Sequence, residues 1–422
     1  MSEDNKLDKH DEEKFNLYTE NIVIKKSVKY RKVIHFGKLM LEAIVFGSVA
    51  CFAFTALYPW MSNQLSLGDK KIIISIPKDE YPDGIEESST QDLLTLDSET
   101  STNNFQNTFQ LLSETMVDTK KSIVTITAIY DETSDFLNEN KSNGDTSGLI
   151  IAMSDNKFTI LTSYSVMKNA RSISVLFNNG NVMSAYVSSA DVDTGIAVIC
   201  VSLSEESVID RANISVAKLD NSYLIDQGDI VFAAGKMLGN NASVNYGTSI
   251  NVKTSKSGID SYYNLIITNM QQKSGDYAFL FNADGNVIGI TKNDSVDNPN
   301  AEVIAYGISD LKPLIEKMSN NEEITYLGIT GESVTNTKAA TFNLPMGVYI
   351  TEIAEDSPAL LSGLMNGDII TTINGQAVYT FKSLCDSIYK YKSGDTIIIE
   401  LKRRLGKDDY KIFSFNVTLG KK

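Results

Sequence analysis

The chain is almost without histidine: among 422 residues only His10 and His35 occur. Everything after His35 must therefore work without an imidazole, the side chain whose unperturbed pKa near neutrality suits it to shuttling protons. Cysteine is nearly as scarce. Cys51, Cys200 and Cys385 form an odd, widely scattered set, which excludes a disulfide framework and the close spacing of a metal site. They read as small apolar residues, buried in a core or facing lipid. Positive charge is also short, because 38 Lys and Arg stand against 53 Asp and Glu for a net charge of −15. Phosphates would be repelled, so nucleic acid and anionic membrane surfaces are excluded as main partners. No cofactor and no metal are expected.

What is present suits a globular protein: 42% of the residues are apolar and 22% are charged. The length leaves room for two or three domains. Residues 1–37 read as a cytoplasmic tail that ends in a basic cluster, Lys25, Lys26, Lys29, Arg31 and Lys32, with Lys38 just beyond. A transmembrane helix is expected over 38–63, since Ala43–Leu67 carries no charge and about 20 apolar residues span a bilayer. Tyr58 and Trp60 would mark the far interface. The basic flank puts the N-terminus inside and the remaining domains outside the cell membrane in a single pass. No small-residue cleavage site follows, so the anchor is expected to stay. Residues 64–107 read as a disordered linker: Ser, Thr, Asp, Glu and Gln dominate its second half, and such a composition cannot bury enough surface to fold.

From 108 to 319 short strand-like runs succeed one another at close spacing, among them Ser122–Ile129, Ile196–Val201, Ala278–Phe281 and Val287–Ile290. This pattern predicts a mostly β barrel or sandwich, closed by a short helix over Leu311–Ser319 and a hinge at Asn320–Glu323. Residues 322–420 form a second unit with the ordered segments Tyr326–Ile329 (YLGI), Gly347–Ile353, Asp356–Ala359 and Gly363–Gln376. A helix over Phe381–Tyr391 and two strands complete it.

Gln272–Ile290, QKSGDYAFLFNADGNVIGI, resembles the end of the active-site region in HtrA/DegP-type serine proteases, GNSGGPLLN-x-DG-x-VIGI. Ser147–Ile151, Leu161–Met167 (LTSYSVM) and Asp191–Cys200 (DVDTGIAVIC) resemble three further stretches of the same family. The second unit resembles the PDZ domains appended to these proteases. The resemblance implies a chymotrypsin-like double β-barrel with a C-terminal PDZ domain (α+β), preceded by the one transmembrane helix. It places the nucleophile on Asp276, or on Ser274 if the hairpin holds a two-residue insertion, the general base on Ser165 and its orienting carboxylate on Gly195.

With Asp276 at the nucleophile position, none of the three is the residue the chemistry needs; Ser274 would supply only the hydroxyl. A serine hydroxyl attacks only when a positioned base takes its proton, and no histidine follows residue 35. A Ser274–lysine dyad would need Lys273, Lys253, Lys256 or Lys292 desolvated on loops that read as polar. Lys273 and Asp276 read as a solvated loop pair, and Asp191 and Asp193 as turn residues. The expectation is an inactive protease homologue that binds protein C-termini or unfolded peptides as an adaptor, chaperone or regulator in envelope protein quality control. Its site would be Tyr326, Leu327, Gly328 and Ile329, whose loop amides can meet a terminal carboxylate, with Leu384 and Ile388 on the opposite helix. The rival expectations are an atypical peptidase using Ser274 and a regulatory subunit of an active homologue, in the homo- or hetero-trimer the resemblance implies.

Overall fold

A computed structural model describes residues 73–80, 110–130, 143–203, 213–292, 301–406 and 409–422, with scattered residues between Lys38 and Ser48. The chain divides into two compact units, Met1–Ile72 and Ile73–Lys422. In the first, the described residues are helical and exposed. Among the described residues no helix is long and apolar enough to cross a membrane. Most of the span expected at 38–63, and all of the tail at 1–37, lie outside the described residues.

The second unit opens with two closed antiparallel barrels. The first contains β1 (Ile123–Ile129), β2 (Asn143–Met153), β3 (Lys157–Ser163), β4 (Ser172–Leu176), β5 (Val182–Asp191) and β6 (Ile196–Ser202), in the order β1-β2-β3-β6-β5-β4. The second contains β7 (Ile230–Met237), β8 (Asn240–Gly258), β9 (Ser261–Gln272), β10 (Tyr277–Asn282), β11 (Val287–Thr291) and β12 (Ala301–Gly307), in the order β10-β11-β12-β9-β8-β7. Closure removes the unpaired edges that invite aggregation. The apolar run of β6 follows from its position between two cores. Ala197, Ile199 and Val201 fill the first barrel, while Ile196 and Val198 face Phe232, Phe279 and Phe281 of the second. Two strands had no counterpart among the sequence expectations, β8 and β12. β8 carries mostly Ser, Thr, Asn and Lys and buries little, so it lacks the apolar alternation that marks a half-buried strand.

Two expectations are corrected. The linker does not run unbroken from 64 to 107, because Ile76 is buried in the barrel core and Ile74 packs against it. Asp79 accepts hydrogen bonds from Lys312 Nζ at 2.7 Å and Ser309 Oγ at 2.6 Å. The remainder of that linker, beyond residue 80, lies largely outside the described residues. Nor does Asn320 belong to a loose hinge, since it is buried and its side chain holds Ile74 through both N–H and C=O, at 2.8 and 2.7 Å. Removing Asp79 leaves the Lys312 ammonium, 3% exposed, without its carboxylate. Asp79→Ala is therefore expected to cost about 2 kcal/mol, the cost of a buried donor left unsatisfied, and urea unfolding with an unchanged m-value would measure it.

The C-terminal part has its own core around Phe381, Ile350, Ile370, Ile399 and Leu401. β14 (Ile329–Ser333), β15 (Val348–Ile353), β16 (Ile369–Ile373), β18 (Thr396–Arg404) and β19 (Tyr410–Thr418) form its sheet in that order, with β17 (Gln376–Ala377) on β16. β13 (Thr325–Tyr326) pairs with β20 (Gly420–Lys421). The helix Phe381–Ile388 starts at Thr380, whose side chain and that of Ser383 cap each other's backbone N–H. Its buried face is Phe381, Leu384, Cys385 and Ile388.

Candidate functional site

Two sites were expected, one between the barrels and one on the C-terminal domain. Between the barrels, Ser165 lies on the short helix Tyr164–Met167 that follows β3, and its Oγ is 2.8 Å from Ser163 Oγ. Gly195 sits in the β5–β6 turn at φ +71°, where an added Cβ would meet nothing within 4 Å. Its carbonyl accepts from Tyr164 N at 2.8 Å. Asp191, four residues earlier, is buried and accepts from Thr194 N and Oγ1, the turn role expected of it.

Asp276 is not half of a solvated pair. It is 3% exposed, while Lys273 stays in solvent. Its carboxylate accepts three backbone N–H bonds, from Leu238 at 2.6 Å, Lys273 at 2.7 Å and Gly239 at 2.9 Å. Leu238 and Gly239 have φ of +52° and +81°, the backbone of a two-residue hairpin turn. Asp276 thus holds the β7–β8 turn against the loop before β10. The amides of that turn are committed to the carboxylate and do not point at a substrate. The neighbouring Tyr277 is buried and donates from its hydroxyl to Thr162 O at 3.1 Å, tying β10 to β3 of the other barrel. Burial pushes its phenol well above the ordinary tyrosine value. Ser274 is exposed on the same turn as Lys273, so neither group is desolvated. Lys256, another candidate base, lies over the Tyr306 ring at 5.9 Å. The arrangement ties the two barrels to each other through Tyr277 and Thr162.

The second site is assembled. Gly328 adopts φ +88°, which lets the N–H groups of Leu327, Gly328 and Ile329 converge on one point. That point is occupied by a carboxylate from the same chain. Asp260, at the tip of the β8–β9 hairpin, accepts from Leu327 N and Gly328 N at 2.7 Å each and from Ile329 N at 3.0 Å. Its own N–H donates to Ile329 O at 2.8 Å, the first bond of an added strand. Tyr262 of β9 packs against the C-terminal domain's core, to which Leu327, Ile329, Leu384 and Ile388 belong. Leu384 and Ile388 are fully buried there, and Tyr326 beside the loop is half-buried. Burial raises the Asp260 carboxyl, and the three amides and the Lys422 ammonium offset only part of that rise. Lys422 in turn pairs with Asp193 at 2.6 Å and lies 3.6 Å from Asp191.

Asp260 and Tyr262 were absent from the sequence expectations. The available signal was a Gly258-Ile259-Asp260 turn after a long polar stretch. Such a turn reads as loop chemistry until its tip is seen inside another domain.

A family model described as a trypsin-like peptidase domain matches residues 146–290, and one described as a PDZ domain matches residues 325–419. The serine protease Do-like HtrA of Bacillus subtilis strain 168 is 28% identical over 326 residues, covering 70% of this chain and 71% of that protein. The periplasmic serine endoprotease DegP of Salmonella typhimurium is 26% identical over 267 residues, covering 61% and 54%. Among solved structures, the HtrA-type protease AlgW with decapeptide superposes with a TM-score of 0.55 at 18% identity, covering 74% of this chain and 98% of that one. The two family models fall in the order of the barrels and the appended domain, and the chain belongs to the HtrA/DegP-type family of trypsin-like serine proteases with a C-terminal PDZ domain.

Proposed function

We propose that this chain is a catalytically silent member of its family that binds protein C-termini through its PDZ domain, outside the cytoplasm and anchored by its N-terminal segment. The observation that carries the reading is the loop Leu327–Ile329, whose three N–H groups already hold a carboxylate. A loop that accommodates a side-chain carboxylate presents the donors a terminal carboxylate needs. Silence of the protease part is supported by the lack of any histidine after residue 35 and by the commitment of Asp276 to backbone amides. The anchor is supported by the uncharged run Ala43–Leu67 beside a basic flank, and the extracytoplasmic placement by the periplasmic DegP relative.

The test has two parts. Purified full-length protein should leave casein intact over hours, and Ser274→Ala should change nothing. Turnover abolished by Ser274→Ala would reverse the reading. Fluorescein-labelled decapeptides ending in Val or Phe should bind with a free carboxylate and fail to bind as C-terminal amides. Equal binding of the amidated peptides would remove the carboxylate loop from the function.

A further inference from the structure

We propose that Asp260 is an internal stand-in for a C-terminus, so that the PDZ loop accepts a foreign carboxylate only when the β8–β9 hairpin tip withdraws. The proposal rests on the reading of Leu327–Ile329 as the peptide site and adds its regulation.

The stand-in is complete in its contacts. A peptide's last residue would offer a carboxylate to the loop, an N–H to the neighbouring strand and an apolar side chain to the core. The hairpin supplies all three. Asp260 gives the carboxylate to Leu327 N, Gly328 N and Ile329 N and its N–H to Ile329 O. Tyr262 gives the apolar contact. Competition follows from donor count, because each N–H donates once. An external carboxylate must therefore displace Asp260. The occupant is tethered by a preformed hairpin, so its effective concentration is at least in the millimolar range of short linkers. The apparent affinity for any peptide falls by the fraction of molecules in which the tip has left. Asp260 itself has φ +51°, a left-handed conformation that Asn tolerates as well as Asp. Asp260→Asn therefore keeps the turn. It replaces one carboxylate oxygen by an amide nitrogen that cannot accept from the loop.

The experiment uses the full chain, the free-acid and amidated decapeptides above, and residue-resolved hydrogen exchange. Asp260→Asn should bind the free-acid peptides at least about tenfold more tightly than the parent, and the amidated ones not at all. Without peptide, the Leu327, Gly328 and Ile329 amides should exchange about tenfold faster in the variant. A variant within twofold of the parent on both measures overturns the proposal. Faster exchange without peptide binding keeps the internal latch and discards the C-terminus reading. The unmodified protein gives a check that needs no variant. Saturating free-acid peptide should expose the Asp260 N–H to exchange, and continued protection at saturation overturns the latch.

Discussion

Asp276→Ser, which installs a hydroxyl at one of the two positions expected to match the family's nucleophile, is expected to destabilise the protein by about 3 kcal/mol and to produce no hydrolysis. Hydrogen bonds to a charged acceptor contribute about 1.5–3 kcal/mol each, and a buried donor left without an acceptor costs its desolvation. Three such donors, on Leu238, Gly239 and Lys273, depend on this one carboxylate. A serine hydroxyl can accept from one of them at most in that geometry. The three bonds share an acceptor, so their losses do not add fully, which sets the figure below their sum. In a domain of this size the change lowers the melting temperature by roughly 6–12 °C. Asp276→Asn keeps one acceptor oxygen and should lose about half as much. Hydrolysis stays absent because the position expected to hold the base is Ser165, hydrogen-bonded to Ser163. A variant with the parent's stability would show that Asp276 is not a structural staple. Measurable casein turnover by the same variant would show that a base is present after all.

The barrels were legible because strands buried on both faces write short continuous apolar runs into the sequence, and Ile196–Val201 and Val287–Ile290 are such runs. The PDZ domain was legible because several motifs fall in a fixed order, and Leu327-Gly328-Ile329 proved to converge on a carboxylate. What stayed hidden has a common cause. Asp276, Asp260, Asp79 and Asn320 are polar residues that sequence pattern assigns to solvent. Each one instead satisfies backbone or ammonium groups contributed by a distant segment. A carboxylate's partner is set by tertiary placement, which periodicity does not encode. β8 stayed hidden for a related reason, since it is long and polar and carries the hairpin whose tip closes the PDZ loop.

Gly328→Ala is expected to be more damaging than any other single change argued for this chain, at about 4 kcal/mol. The methyl group would overlap Ser357 Cβ and stand 3.1 Å from Tyr326 Cζ, on a backbone at φ +88°. Left-handed backbone with a Cβ costs about 1–2 kcal/mol, and forced overpacking adds about 1–3 kcal/mol. Ser357 cannot step aside cheaply. It is fully buried, its Oγ accepts from Leu360 N at 3.2 Å to cap the helix Pro358–Leu361, and Ala359 N donates to Leu327 O at 3.0 Å. The C-terminal domain has its own core, so limited proteolysis should leave a resistant fragment spanning the barrels while residues beyond Ile324 are digested. A variant within 1 kcal/mol of the parent by urea unfolding would mean the loop tolerates a side chain, and its glycine would need another explanation. The same geometry decides how peptide recognition should be probed. Any substitution at Gly328 removes the pocket together with the binding, so lost binding there says nothing about carboxylate capture. Asp260 lies on the other partner in the contact, and changing it alters occupancy while leaving the donors in place.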